Sequence, residues 1–162
     1  ASCADFAGRC SCPLGSDSRS SYVFLRIFLA EMSSASAAAK LVQYVVVNGE
    51  IAKSWPKGAV IAQCCHAVSA VSHLYSSDPD TVEYFKDLDN MHKVVLEAPD
   101  VGKLNSLGEV LQQNEIKHKV WIEQPENIPT CIALKPYRKE DVHKYVKKFK
   151  LTQLVVRTPH ML

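Results

Sequence analysis

The stretch LVQYVVVNGEIAKSWPKGAVIAQCCHAVSAVSHLY, residues 41–75, decides the reading of this 162-residue chain. Its opening, residues 41–47, is short, apolar and β-branched, interrupted only by Gln43. That pattern predicts a buried strand of a parallel or mixed sheet. Asn48-Gly49 is a turn signal that ends the strand, and residues 50–55 read as loop. Pro56 suits the first turn of a helix. Residues 58–75 are Ala-rich, with Val60, Ala67, Val68, Val71 and Leu74 as an apolar stripe of helical period. A strand feeding a helix through a short loop is the opening unit of an α/β fold.

The same signals continue outward. Ser76-Ser77-Asp78-Pro79 breaks the helix, and residues 80–88 predict a short second one. Residues 93–98 read as a second strand ended by Pro99-Asp100. Asp100 can cap a third helix over 101–113, with Leu104, Leu107 and Leu111 inward and Asn114 at its end. Residues 118–124 and 130–134 predict a third and a fourth strand around the loop 124–129, and residues 141–148 a final helix. The expected fold is a single α/β domain over 41–151, order β-α-α-β-α-β-β-α. It has a four-stranded mixed sheet with helices on both faces. Only the last two strands need form an antiparallel hairpin.

Apolar residues make up 47% of the chain and charged residues 22%, with a net charge of +2, which excludes the disordered class. The six cysteines show no CxxC pair or CxxH partner at zinc spacing. They read as free thiols of a reducing compartment, with no metal. Residues 1–40 are rich in Ser and Ala and are expected to be a disordered leader. Their apolar stretch 22–30 is broken by Arg26 and is far below the ~20 residues of a membrane span. Met32, followed by Ser33-Ser34-Ala35, reads as a natural start. The location expected is cytoplasmic, with mitochondrial targeting by the leader left open. Residues 152–162 read as a tail in which 154–156 could add a strand.

Chemistry-bearing residues gather around the first helix. Gln63 and His66 are three apart and share a face, where they serve a site or hydrogen-bond core carbonyls. Lys57 stands at the helix start, opposing the helix dipole, where an anion would be favoured. In open α/β sheets, ligands bind beyond the carboxyl ends of the strands. Glu126, in a loop braced by Pro125 and Pro129, is a candidate general base or a solvated carboxylate. Thr130 opens the next strand with one hydroxyl. Towards the end, Lys135, Arg138, Lys139, Lys144, Lys147, Lys148 and Lys150 outnumber Glu140 and Asp141, with Tyr137, Tyr145 and Phe149 interleaved. That is a phosphate-binding patch, or a solvated helix with Val142, Tyr145 and Val146 inward. No nucleophile elbow, P-loop or GxGxxG is present.

Three segments carry a resemblance. Gly58-Ala59-Val60-Ile61-Ala62-Gln63-Cys64-Cys65-His66-Ala67 resembles the type-two peptidyl-tRNA hydrolases, the archaeal and eukaryotic kind. Lys93-Val94-Val95-Leu96-Glu97-Ala98-Pro99-Asp100 and the element order fit the same family. The run from Trp121 through Glu123-Gln124-Pro125-Glu126-Asn127 to Leu134 is similar to the subgroup called peptidyl-tRNA hydrolase domain-containing protein. The resemblance implies an esterase that cuts peptide from the 3′ ribose of tRNA, with tRNA as partner, no cofactor, and a homodimer left open. Gln63, His66 and Thr130 match family motif positions. The family's Lys before the Ala-Gln element is replaced by Ala59, with Lys57 two residues earlier. Its Asp at the end of the third strand is replaced by Gln124. The implied catalytic set is therefore Lys57, Gln63, His66 and Thr130, supported by Gln124 or Glu126. Lys135, Arg138, Lys144, Lys147 and Lys148 would hold the tRNA. The competing reading is a tRNA- or protein-binding module that keeps the fold without the family Lys and Asp.

Overall fold

The structure, a computed structural model, describes residues 40–153. Its elements in chain order are β1 (Leu41–Asn48), α1 (Gly49–Ser54), α2 (Lys57–Leu74), α3 (Pro79–Tyr84) and a 3-10 turn (Leu88–Asn90). There follow β2 (Lys93–Ala98), α4 (Val101–Gln113), β3 (His118–Glu123), β4 (Ile128–Leu134), β5 (Tyr137–Arg138), α5 (Lys139–Val146) and β6 (Lys150–Leu151).

β1 occupies the centre of the sheet because both of its faces are apolar. Val42, Tyr44 and Val46 enter one core with Leu104, Leu107 and Leu111 of α4 and Val142 and Val146 of α5. Val45 and Val47 enter the other, with Ile51 of α1, Val60, Ala67 and Val71 of α2, and Cys131 and Ala133 of β4. Each fully buried valine of this kind contributes about 1.5–3 kcal/mol of transfer free energy. Helices therefore cover both faces, as expected.

The sheet order is β3-β4-β1-β2-β6. β1 runs parallel to β2, with Val45 opposite Val95, and antiparallel to β4, with Val46 opposite Ile132. β3 and β4 form the expected antiparallel hairpin. β5 pairs with the start of β1, continuing the track of β4 one residue out of register across Lys135-Pro136.

Several expectations are corrected. The sheet has six strands rather than four, because β5 and β6 are two-residue strands that form only against the exposed edges of β1 and β2. Besides the β3–β4 hairpin, β1–β4, β1–β5 and β2–β6 are also antiparallel. Residues 50–55, read as loop, lie mostly in a short helix: the Asn48 side chain accepts from Glu50 N at 3.0 Å, and Ile51 is buried. The predicted helix 80–88 ends at Tyr84 and gives way to the 3-10 turn. β4 begins two residues early, at Ile128, and the last helix two residues early, at Lys139. Leu74, placed in the apolar stripe, is 58% exposed at the end of α2. The leader and residues 154–156 lie outside the described residues. Among the described residues, no helix is long and apolar enough to cross a membrane.

Gly49 is the one tight approach that sets the end of the sheet. A Cβ there would sit 2.5 Å from the Ala98 carbonyl oxygen and 2.8 Å from Glu97 Oε1. Gly49→Ala is expected to cost about 1–3 kcal/mol by forcing α1 off β2. The check is a lower urea midpoint at unchanged slope.

Candidate active site

The carboxyl ends of β1 and β2, the start of α2 and the β3–β4 hairpin turn lie at one end of the sheet. The pairing makes this necessary. β4 enters antiparallel beside the last residues of β1, with Cys131 opposite Val47, so its first residues and the turn before them lie at that end. α2 runs back over β3 and β4 from the same end.

Lys57 is the first residue of α2 and is exposed. The helix starts at Pro56 without a side-chain cap, so its first amide donors have no cap side chain among the described residues. Six residues further, about 9 Å along the helix axis, Gln63 turns inward and is 3% exposed. Its Oε1 accepts from Thr130 Oγ1 at 3.0 Å, and its backbone carbonyl accepts from Cys131 Sγ at 3.1 Å. Thr130 is fully buried, and its hydroxyl also lies 3.4 Å from the Trp121 carbonyl. Gln63 and Thr130, placed on the same site by sequence, thus meet directly across the α2–β4 interface. With Oε1 engaged, Gln63 retains its Nε2 hydrogens for another acceptor.

His66 lies on the same face, exposed, and stacks on Trp121 with ring centroids 4.8 Å apart and planes at 17°. Trp121 Nε1 in turn donates to Glu123 Oε2 at 2.9 Å. Trp121 and Glu123 therefore join the residues expected. Sequence reading passed over them because alternate positions of an ordinary strand carry no mark of which face they share with α2. Gln124 and Glu126 are exposed in the turn, Gln124 Nε2 reaching Asn127 Oδ1 at 3.4 Å. Both stand at the same end as Lys57, but neither touches Gln63, His66 or Thr130 by hydrogen bond among the described residues.

Cys131 and Cys64 adjoin this cluster. Hydrogen bonding with Cys64 and then burial push the Cys131 thiol up, so it stays protonated. The same contact with Cys131 holds Cys64 below the usual thiol range despite its burial.

The basic patch divides. Arg138, Lys144, Lys147 and Lys148 are exposed on or beside α5. Lys135 is not available to an external phosphate. It is 3% exposed, with Nζ 2.8 Å from Asp78 Oδ1, 2.8 Å from Asp80 Oδ2 and 3.9 Å from the Tyr137 ring centroid. Two carboxylates at the start of α3, the cap Asp78 and first-turn Asp80, consume its charge.

The fold and this cluster define, over the described residues, one α/β domain with a polar cluster where the first long helix crosses an antiparallel hairpin. The chain belongs to the PTH2 family: the family model described as "Peptidyl-tRNA hydrolase PTH2" matches residues 41–152. It is 53% identical over 114 residues to a human protein named "Putative peptidyl-tRNA hydrolase PTRHD1", covering 68% of this chain and 81% of that relative. The mouse protein of the same name matches with the same identity and coverage.

Proposed function

We propose that the protein hydrolyses the ester between a peptide and the 3′ ribose of tRNA. The observation that carries this reading is the Gln63–Thr130 hydrogen bond with His66 stacked on Trp121 beside it, at the three residues that the sequence resemblance implies for the family motif. In the proposed reaction the attacking water passes a proton to His66 as its oxygen bonds to the ester carbonyl. The resulting oxyanion is met by Gln63 Nε2, with Lys57 and the uncapped amides of α2 adding positive potential from the helix start. Collapse breaks the bond to the ribose oxygen, which leaves with the proton from His66. Thr130 is a positioning residue that orients Gln63. Gln124 and Glu126, on the turn beside Lys57, would contact the ribose or the peptide end. Exposed Arg138, Lys144, Lys147 and Lys148 would take tRNA phosphates.

The test is deacylation of N-blocked aminoacyl-tRNA by the full chain at low salt. Lys57→Ala is expected to lower kcat/KM by about 10²-fold, the size of a lost oxyanion contact. Deacylation unchanged by Lys57→Ala removes Lys57 from the site. Binding of tRNA with no deacylation at all favours the module reading, for which Ala59 and Gln124 in place of the family Lys and Asp speak.

A further inference from the structure

Two adjoining cavities open at the same end of the sheet. One, of about 530 Å³, is lined by Lys53, Glu97, Lys148 and Lys150 among others. The other, of about 640 Å³, is lined by Trp55, Pro56 and Lys57, and the two share Lys53 and Gln153. Together they make a trough from the start of α2, past α1 and the end of β2, to the end of α5. Four lysines border it against one carboxylate. Glu97 is already matched by Lys53 at 3.3 Å, while Lys57, Lys148 and Lys150 form no ion pair among the described residues. Trp55 contributes an aromatic surface in the cationic part of the trough, half-buried against the α2-side core.

We infer that this trough binds single-stranded RNA, a base resting against Trp55 and Pro56 while Lys53, Lys148 and Lys150 take the phosphates. Cations that track a backbone beside an aromatic platform are how unpaired nucleotides are held without sequence preference. An acidic peptide would use the lysines but has no need of the ring. The inference deepens the proposed function and rests on it in one respect: the ester would lie on α2, so the unpaired 3′ end of the tRNA would leave the site along this cationic cleft, which reaches Lys57. The paired stem would then meet α5, just after which Lys148 lies. Neither Lys53, Trp55 nor Lys150 takes part in the proposed reaction.

The experiment measures binding of a single-stranded RNA hexanucleotide to the full chain by fluorescence anisotropy, with Trp emission followed in parallel. Lys53→Gln combined with Lys150→Gln is expected to weaken hexanucleotide binding by about tenfold. It should also reduce the salt slope by roughly 1.4, at about 0.7 per phosphate contact on a single strand. Affinity for a short RNA duplex should change less than twofold. RNA should quench Trp emission in the parent and not in Trp55→Phe, which retains Trp121 and the packed ring. Wild-type affinity in the double variant overturns the inference. So does an equal loss for duplex RNA, which makes the lysines a general patch, or equal competition by polyglutamate, which makes the trough an acidic-peptide site. The two readings fail separately. Loss of hexanucleotide binding in a protein that deacylates nothing leaves the trough standing and removes the enzyme. Active protein whose double variant binds RNA normally does the reverse.

Discussion

His66→Ala is expected to reduce single-turnover deacylation of N-blocked aminoacyl-tRNA by about 10²–10⁴-fold, the range lost with a general base, with tRNA affinity nearly unchanged. Alanine alone is ambiguous, because it also removes the ring stacked 4.8 Å from Trp121. His66→Phe separates the two roles. Phenylalanine keeps an aromatic face against Trp121 and has no nitrogen to accept a proton. If His66 acts as base, His66→Phe is as slow as His66→Ala while its thermal midpoint stays near that of the parent. Recovery of activity in His66→Phe would reduce His66 to a packing residue. The proton would then have to go elsewhere, and Glu123, held by the Trp121 indole at 2.9 Å, is the nearest ionisable group tied to the same ring.

Lys135→Met is expected to destabilise the domain by about 3 kcal/mol, the cost of leaving buried charge without its partner. For a domain of this size that is a fall in Tm of roughly 10 °C. Methionine fills the space of the lysine stem, so the loss reports the charge. Asp78 Oδ1 and Asp80 Oδ2 each lie 2.8 Å from Nζ, and among the described residues Asp78 keeps only Lys117, at 3.0 Å, once Lys135 is gone. Burial pushes the Asp78 carboxyl up, but hydrogen bonds from Lys135 and Lys117 outweigh it and hold Asp78 below the usual carboxylate range. Burial likewise works against the Lys135 charge, and Asp78 and Asp80 outweigh it and raise Lys135 above the usual lysine value.

The signs follow from linkage. A depressed carboxylate contributes stability that is present above its unfolded pKa, about 3.9, and is lost as pH falls through the lower folded value. A raised lysine contributes stability that is present below its unfolded pKa, about 10.4, and is lost as pH rises through the higher folded value. The stability difference between parent and Lys135→Met should therefore be flat from about pH 5 to 9 and shrink at both extremes. Urea titrations across that range read it directly. A difference that stays constant at pH 3 would mean that packing, rather than charge, is what Lys135 supplies.

Much of the frame was legible in the residues. β1, α2, β2 and α4 have strong periodicity and explicit ends, and the predicted bounds of β2 and α4 match the structure. Asp100 caps α4 as read, accepting from Lys103 N at 2.7 Å. The pairing of Gln63 with His66 on one face followed from their spacing, because helix geometry is local. α1 was missed because six residues are too few to stand on propensity. It holds through Asn48 and through Ile51 in the core. β5 and β6 were missed because two residues have no period, and each exists only where a neighbour offers an unpaired edge.

The site divides in the same way. The sequence by itself determined the family, the central strand, the long helix and the polar face that Gln63 and His66 present, since these depend on residues a few positions apart. Only the tertiary structure decided that Gln63 meets Thr130, 67 positions away, and that His66 rests on Trp121. It alone removed Lys135 from the basic surface, by bringing Asp78 and Asp80 across from the start of α3. It alone gathered Lys53, Trp55 and Lys150 around one trough. A charge or ring in a sequence shows its chemistry but not its neighbours. Those are set by strand order and register, in which β1, the most apolar segment, takes the centre and every other element is placed by what it can bury against it.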